Sequence, residues 1–190
     1  MTNTSATGGL LVPASTPNPS QDLNLDALFQ VAISGITGLA GSLVRPRWQV
    51  NPPKSPEASV DWCAIGVVSE TPDSSPSIVH QGSLVGQVGE IGKDNLQRHG
   101  DIDILVSCYG PNAGKYIGLI KDGFTVPQNM ETLKASGIGF VDNGVIRVVP
   151  ELYNQQWIRR CDILLRFRRQ TKREYPVLNI LSATPEYKTE

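Results

Sequence analysis

Residues 153–169 have the sequence YNQQWIRRCDILLRFRR. Apolar and polar residues alternate through most of this stretch, and a period of two is typical of a β-strand with one buried face. We therefore predict one long strand here, whose apolar side chains face a core. The predicted inward residues are Trp157, Cys161, Ile163, Leu165 and Phe167.

The other face of the predicted strand carries Arg160, Arg166 and Arg168. Alternate residues of a strand lie roughly 7 Å apart, so neighbouring guanidinium groups on this face form a row. Arginine pairs with carboxylates or phosphates through a fixed, bidentate geometry. Three interpretations are open at this point: a solvated face, an interface with an acidic partner, and contact with the backbone of a nucleic acid.

Apolar residues at helical spacing predict three helices elsewhere in the chain. These helices span residues 25–39, 112–124 and 128–135. Asp22 or Asn24 is expected to cap the first helix, and Asn112 the second, because Asp and Asn side chains can accept the unpaired N–H groups of a first helical turn.

Alternating patterns and turn residues predict the rest of the sheet. The further strands span residues 60–69, 78–81, 96–109 and 175–182, with a loop over 82–92. The sequence Asp142-Asn-Gly predicts a β-hairpin within residues 137–149. The sum is an α+β fold: a mainly antiparallel sheet, flanked on one face by two or three helices.

Composition predicts how the chain is divided. Residues 1–21 are rich in Gly, Pro, Ser and Thr and are predicted to be a flexible arm. Residues 22–183 are predicted to form a single α+β domain, and residues 184–190 a tail. Residues 1–20 also lack a basic stretch followed by an apolar run, so we expect no signal peptide and synthesis in a reducing cytoplasm.

The overall charge and the cysteines exclude several classes of function. There are 17 Lys and Arg against 18 Asp and Glu, a net charge of −1, which gives no general attraction to nucleic acids or anionic membranes. The cysteines Cys63, Cys108 and Cys161 are odd in number and far apart, so they are expected to be buried thiols rather than disulfides or zinc ligands.

The chain has few residues of the kinds that usually carry out catalysis. Only two histidines occur, His80 and His99, so a Ser/His/Asp or Cys/His site is not expected. One enzymatic alternative stays open, a small site at Asp101, Asp103 and His99. We expect no enzyme activity, no catalytic residue, no cofactor and no metal.

Several sequence blocks resemble the neck or tail terminator family of tailed phages, a group of head–tail junction proteins. Their order and spacing carry the resemblance, which covers residues 25–183. The blocks are Arg45-Pro-Arg-Trp-Gln with Asn51-Pro-Pro, Val60-Asp-Trp-Cys, Leu96-Gln-Arg-His, Cys108-Tyr-Gly-Pro-Asn-Ala, Asp122-Gly-Phe with Val126-Pro-Gln-Asn, Val149-Pro-Glu-Leu, and Trp157-Ile-Arg-Arg-Cys-Asp.

The resemblance implies a structural virion protein of the head–tail junction. Such a subunit forms a ring, generally a hexamer, that stops the growth of the tail tube and joins the tail to the neck. The implied partners are other copies of the chain, the tail tube protein, the sheath if the tail is contractile, and a neck, collar or head-completion protein. Genomic DNA passes through the lumen without sequence-specific binding. The implied location is the virion, after synthesis in the cytoplasm of the bacterial host.

Together with the resemblance, the residues suggest an interface made of two parts. One is the arginine row of Arg160, Arg166 and Arg168, for which contact with carboxylates of a neighbouring subunit is the preferred role. The alternative is a nucleic-acid-binding module that uses the same three residues.

The second part is Trp48 with its neighbours Arg45 and Arg47, since Trp and Arg are enriched at the energetic centres of interfaces. A local lid over the core is an equal alternative for Trp48. The interface hypothesis predicts that Trp48→Ala leaves a folded chain that no longer assembles, whereas loss of the fold would favour the lid.

Overall fold

A computed structural model describes residues 8–14, 21–82, 91–153 and 155–178, with only the backbone of Ile91. These residues fall into two compact units. The smaller unit contains the described parts of Met1–Asn18, Ser75–Arg98 and Thr171–Glu190. The larger unit contains those of Pro19–Ser74 and His99–Gln170.

Nine strands and three helices make up the described chain, apart from two short 3-10 turns. The strands are β1 (Val44–Pro46), β2 (Trp62–Pro72), β3 (Ser77–Gln81), β4 (Ile91–Tyr109), β5 (Ile138–Asn143), β6 (Arg147–Val148), β7 (Glu151–Tyr153), β8 (Gln156–Ile158) and β9 (Arg160–Leu178). The helices are α1 (Asp22–Thr37), α2 (Ala113–Gly123) and α3 (Glu131–Ala135).

Seven of the strands form one sheet in the order β1-β2-β4-β9-β5, with β3 beside β4 and β6 beside β9. β1 runs parallel to β2. β2 and β3 run antiparallel to β4, and β5 and β6 run antiparallel to β9. β7 and β8 form a separate two-stranded hairpin. The predicted α+β class with a mainly antiparallel sheet is confirmed.

The core of the larger unit lies between one face of the sheet and the helices. The Phe167 ring of β9 lies 4.8 Å from that of Phe29 in α1 and 5.2 Å from that of Phe124, which follows α2. Cys161, Ile163 and Leu165 are buried on the same face, as the alternation predicts. All three helices contribute to this core, so helices on one face of the sheet are confirmed. We call the face of the sheet that the helices cover the inner face.

The predicted strand 153–169 is wrong at both ends. Residues before Arg159 belong to the β7–β8 hairpin, and β9 continues to Leu178, so residues 175–178 of the predicted last strand are part of β9. Ile158 packs on the sheet face opposite the helices, which turns its neighbour Trp157 outward. Trp157 is 71% exposed, so its predicted place in the core is wrong.

The hairpin predicted at Asp142-Asn-Gly does not form. β5 and β6 both pair with β9, and Gly144 donates its N–H to the carbonyl of Leu164 at 2.7 Å. The chain therefore continues along β9, with a bulge, instead of turning back on itself. The tertiary contact with a long neighbouring strand outweighs the local turn preference.

The predicted helix caps are also wrong in detail. Gln21 precedes α1, and its side chain makes no capping hydrogen bond. Asn112 does precede α2, but its amide donates to Asp61 Oδ2 at 2.8 Å rather than capping the helix. Asp61 thus ties the chain before β2 to the turn after β4.

Parts of the domain prediction fall outside the described residues. Of the arm 1–21, only residues 8–14 and 21 are described, and the tail 184–190 is not. The single domain 22–183 stays a prediction. The loop predicted at 82–92 is wrong at its end, because β4 begins at Ile91, and residues 83–90 lie outside the described chain, as do residues 179–182 of the predicted last strand.

The smaller unit is a β-structure of β3 and the adjoining parts of β4 and β9. Residues of β3 pair with Lys93–Gln97 of β4, and His80 Nδ1 lies 2.8 Å from Asp94 Oδ1. Lys93 forms an ion pair with Glu174 at 3.2 Å, and the N–H of Ala14 donates to the carbonyl of Glu174.

The three thiols are buried, as predicted. Cys63 and Cys108 are directly opposite each other on β2 and β4, with their sulfur atoms 2.7 Å apart. This contact with Cys63, together with burial, raises the pKa of the Cys108 thiol. No group of His, Cys, Asp and Glu within the described chain is arranged to hold a metal ion. No helix among the described residues is long and apolar enough to cross a membrane.

Candidate interface site

The face of the sheet opposite the helices carries most of the predicted interface residues. We call it the outer face. Side chains from β2, β4 and β9 form rows across it, since directly opposite residues of antiparallel strands share a face. Arg166 contacts Asp103 and Arg168 contacts Asp101, which shows that β4 and β9 run in opposite directions.

Two rows of this face are ion pairs between β4 and β9. Arg166 Nε lies 2.8 Å from Asp103 Oδ1, and Ser69 donates to the other oxygen of Asp103 at 2.7 Å. The hydrogen bond from Arg166 holds the pKa of Asp103 below its usual value. Arg168 lies 3.0 Å from Asp101 and 2.5 Å from Asp73. Both guanidinium groups therefore have carboxylate partners within their own chain.

Arg160 lies at the start of β9 and has two carboxylate partners. It binds Asp162 through two hydrogen bonds of 2.8 and 2.9 Å, and Glu151 of the hairpin through a third of 3.1 Å. The bond to Asp162 raises the pKa of Arg160. Burial would raise the pKa of Asp162, but hydrogen bonds from Arg160 and Ser107 bring it below its usual value.

Arg47 reaches this network because Gly66 has no side chain. A Cβ atom on Gly66 would lie 2.9 Å from Cβ of Arg47, closer than such atoms approach. Arg47 can therefore cross β2 and donate to the hydroxyl of Ser107 at 2.5 Å. Ser107 is fully buried and in turn binds Asp162, so Arg47 and Arg160 belong to one hydrogen-bonded network.

Arg45 takes part in a stack of aromatic rings and guanidinium groups. The rings of Trp62 and Tyr109 are nearly parallel, with centroids 4.2 Å apart. Arg45 lies 5.7 Å from the Trp62 ring and Arg160 lies 5.6 Å from the Tyr109 ring. Cation–π contacts thus close both ends of the stack. Arg45 also donates to the carbonyls of Ser42 and Lys54, which fixes the chain around β1.

Trp48 lies apart from the outer face. Its side chain is 77% exposed, so it does not form a lid over the core. It lines an open groove of about 810 Å³ beside the first turn of α1, together with Leu23, Val50 and Val67. The structure therefore places the five predicted arginines on the outer face and Trp48 at a second surface, which Arg47 also lines.

Sequence reasoning missed the carboxylates that neutralise the arginine row. The three arginines of β9 are bound by five carboxylates: Glu151 and Asp162 at Arg160, Asp103 at Arg166, and Asp73 and Asp101 at Arg168. The only sequence signal was that Asp101 and Asp103 alternate like the arginines do. Arg169 was missed as well: it is buried on the inner face and pairs with Glu70.

The three residues of the enzymatic alternative, Asp101, Asp103 and His99, also lie on the outer face. Asp101 and Asp103 are each held by an arginine, and His99 lies beside Gln170 with 3.4 Å between their nitrogens. The pKa of Asp103 is lowered by its bound arginine, so this carboxylate is poorly suited to donate or accept a proton near neutral pH. The arrangement favours a structural role for these residues.

Comparison with protein families identifies the group to which the chain is similar. A family model described as phage neck terminator protein matches residues 24–190. The match includes β1 to β9 and with them the outer face, and it includes the Trp48 groove except Gln21, Asp22 and Leu23. A search of the curated proteins found no match.

Proposed function

The chain belongs to the phage neck terminator family, as the match over residues 24–190 shows, and we propose that its copies form a ring that ends the tail tube. The family makes it a structural protein of the phage neck that acts with other head and tail proteins. In our proposal the ring is a hexamer and joins the tail to the neck, so its place is in the virion, after synthesis in the host cytoplasm.

Each end of the proposed ring has its own partner. The tail tube protein contacts one end, and a neck, collar or head-completion protein contacts the other. A sheath protein is a further partner if the tail is contractile. Genomic DNA passes through the lumen without sequence-specific binding.

The single observation that carries the proposal, beyond the family, is the neutralised arginine row. Arg166 and Arg168 are half exposed, with side-chain exposures of 50% and 46%, yet each is fixed by carboxylates of its own chain. A fixed side chain loses little conformational entropy when it meets a partner. Such a rigid pattern of alternating charge suits protein contacts, in which charge complementarity sets the register.

The arginines keep hydrogen-bonding capacity for a neighbour. Arginine has five N–H donors, and Arg166 and Arg168 each use two in the bonds to their aspartates. We propose that the remaining donors bind carboxylates or carbonyls of an adjacent subunit or ring. Arg160 and Arg47 fix a second network at the start of β9, and Arg45 holds the chain around β1.

The same cluster argues against the nucleic-acid-binding alternative. Phosphate groups would have to compete with the five carboxylates that already bind Arg160, Arg166 and Arg168. Binding to a nucleic acid backbone depends on an excess of unpaired positive charge. A lumen that releases a genome benefits from weak contact with DNA.

Co-assembly with the tail tube protein of the same phage tests the proposal. Tube protein is polymerised alone and with increasing amounts of this chain, and tube lengths are measured. We expect shorter tubes, each with one ring of this chain at a single end. Unchanged tube lengths, together with binding of duplex DNA that weakens steeply with salt, would instead establish the nucleic-acid-binding alternative.

A further inference from the structure

The larger unit has two separate surfaces on which large apolar side chains are exposed. The first is the Trp48 groove, formed by Trp48, Leu23, Val50 and Val67. The second lies on the β7–β8 hairpin, where Leu152 and Trp157 are directly opposite each other and both exposed. We call the second surface the hairpin patch, and it includes Arg159, the exposed residue after Ile158.

The alternation of the hairpin explains why the patch faces away from the protein. Ile158 packs against Tyr109 and Ala64 on the outer face, and Glu151, directly opposite it, binds Arg160. Neighbouring strand residues point to opposite sides, so Leu152 and Trp157 point outward. Nothing in the described chain covers this pair, although a tryptophan and a leucine together expose a large apolar area.

The two surfaces lie at different ends of β2. The groove is lined by the start of α1, by Gly66, Val67 and Glu70 of β2, by Arg47 and by Arg169, which pairs with Glu70. The hairpin lies over the outer face, next to Trp62 and Tyr109 at the other end of β2. One molecule cannot bring its own patch into its own groove in this arrangement, whereas two copies can meet head to tail.

Charge also distinguishes the two surfaces. The groove contains Asp22 and Asp26, neither of which has an ion pair with any residue that the structure describes, whereas the two arginines that line it are bound elsewhere, Arg47 to Ser107 and Arg169 to Glu70. Burial raises the pKa of Asp26, so a cation placed nearby would favour its charged form. The hairpin patch supplies such a cation, since Arg159 is exposed and makes no ion pair within the described ranges.

We propose that the hairpin patch of one copy docks into the Trp48 groove of the next. Leu152 and Trp157 enter the groove beside Trp48, and Arg159 lies against Asp22 and Asp26. Because the two contacting surfaces differ, the contact is heterologous, and repeating it closes a ring if the rotation between copies allows it. The inference rests on the proposed ring and assigns the two surfaces that build it.

Two charge-introducing variants test this assignment through complementation. Trp48→Glu blocks the groove and Trp157→Glu blocks the patch, and each substitution replaces an exposed side chain, so the fold should be kept. Removing a central tryptophan from an interface weakens association at least about 30-fold. Val31→Glu is the matched control, because Val31 is 66% exposed on α1 and lines neither surface.

The mass of each protein is measured by light scattering after size exclusion, at concentrations up to about 1 mM, the weakest range in which specific association is usually measured. We expect wild type and Val31→Glu to form the same closed oligomer and each tryptophan variant to stay monomeric. An equimolar mixture of the two variants should form a dimer, because Trp48→Glu keeps its patch and Trp157→Glu keeps its groove.

Three results would overturn the inference: a monomeric wild type, a tryptophan variant that assembles alone, or a variant mixture that stays monomeric. Assembly of one variant alone would mean that like surfaces meet. The same proteins are then added to growing tail tubes. If wild type and both variants all shorten the tubes, the docking inference fails while the proposed function stands. If wild type has no effect on the tubes, the proposed function itself fails.

Discussion

Arg166 and Asp103 face each other across β9 and β4, with Nε and Oδ1 2.8 Å apart on the outer face of the sheet. The two residues are 63 positions apart in the chain. Arg168 and Asp101 form a second ion pair between the same two strands. A third ion pair joins Arg160 and Asp162, both at the start of β9. The outer face therefore carries a regular set of ion pairs, and each pair can be disrupted separately by substitution.

The Asp103→Asn variant tests how the pair contributes to stability. The folded-state pKa of Asp103 is below the ordinary value of 3.8, so its stabilising contribution is present above about pH 4 and is lost as the pH falls through the folded pKa. We expect Asp103→Asn to be less stable than wild type at pH 7, with a difference that shrinks below pH 4. Urea denaturation across this range measures it. Asp122→Asn, at the end of α2, is the control, and a difference independent of pH would contradict the account.

Arg160 is expected to matter more for stability than its neighbour Arg159. Arg160→Ala leaves Asp162 half-buried without its bidentate partner, which should cost about 1–3 kcal/mol. Arg160→Lys should recover only part of this, because an ammonium group cannot reproduce two parallel hydrogen bonds. Thermal and urea unfolding measure the stability of both Arg160 variants. Arg159 is exposed, so the free energy of unfolding of Arg159→Ala should lie within about 0.5 kcal/mol of wild type. Equal effects at both positions would show that the network around Asp162 does not contribute to stability.

Gly66 is predicted to be intolerant of any side chain. A Cβ there would meet the Cβ of Arg47 at 2.9 Å, so Gly66→Ala should displace Arg47 from Ser107. Crowding of this kind typically costs about 1–3 kcal/mol. Gly139→Ala is the matched control, since no atom lies within 4 Å of its added Cβ. If both variants unfold at the same urea concentration, the close approach of Arg47 is unimportant.

The double variant Arg166→Gln, Arg168→Gln separates folding from assembly. Both arginines are half exposed, so the variant should fold like wild type by circular dichroism. It should end tail tubes poorly, because it lacks the donors proposed to bind a neighbouring subunit or ring. Neither protein should bind duplex DNA at 150 mM salt in fluorescence anisotropy, a condition in which only strong electrostatic binders remain bound. Full tube-ending activity in the variant would exclude these arginines from the contact.

Periodicity was enough to predict the inner face of β9 and the general fold. Cys161, Ile163, Leu165 and Phe167 repeat every second residue, and all four are buried as this pattern requires. The row of Arg160, Arg166 and Arg168 on the other face follows from the same pattern. Alternation within one strand determines which side chains share a face, and that much can be read locally.

Contacts between distant strands could not be read in this way. The carboxylates that meet Arg166 and Arg168 depend on the register of β4 against β9, which no local pattern specifies. The place of Trp157 depends on Ile158 covering a small apolar cluster at Tyr109. The access of Arg47 to Ser107 depends on Gly66, a residue whose role appears only when two strands are in place.

Electron microscopy of tail tubes assembled with this chain tests the central claim most directly. Averaged images of tube ends should show one additional ring, present at a single end and absent from tubes grown without the chain. Labelling of the chain should place it in that ring, and the tubes should stop at a narrow range of lengths. Tubes with bare ends and unchanged lengths, with the labelled chain free in solution or scattered along DNA, would contradict the account.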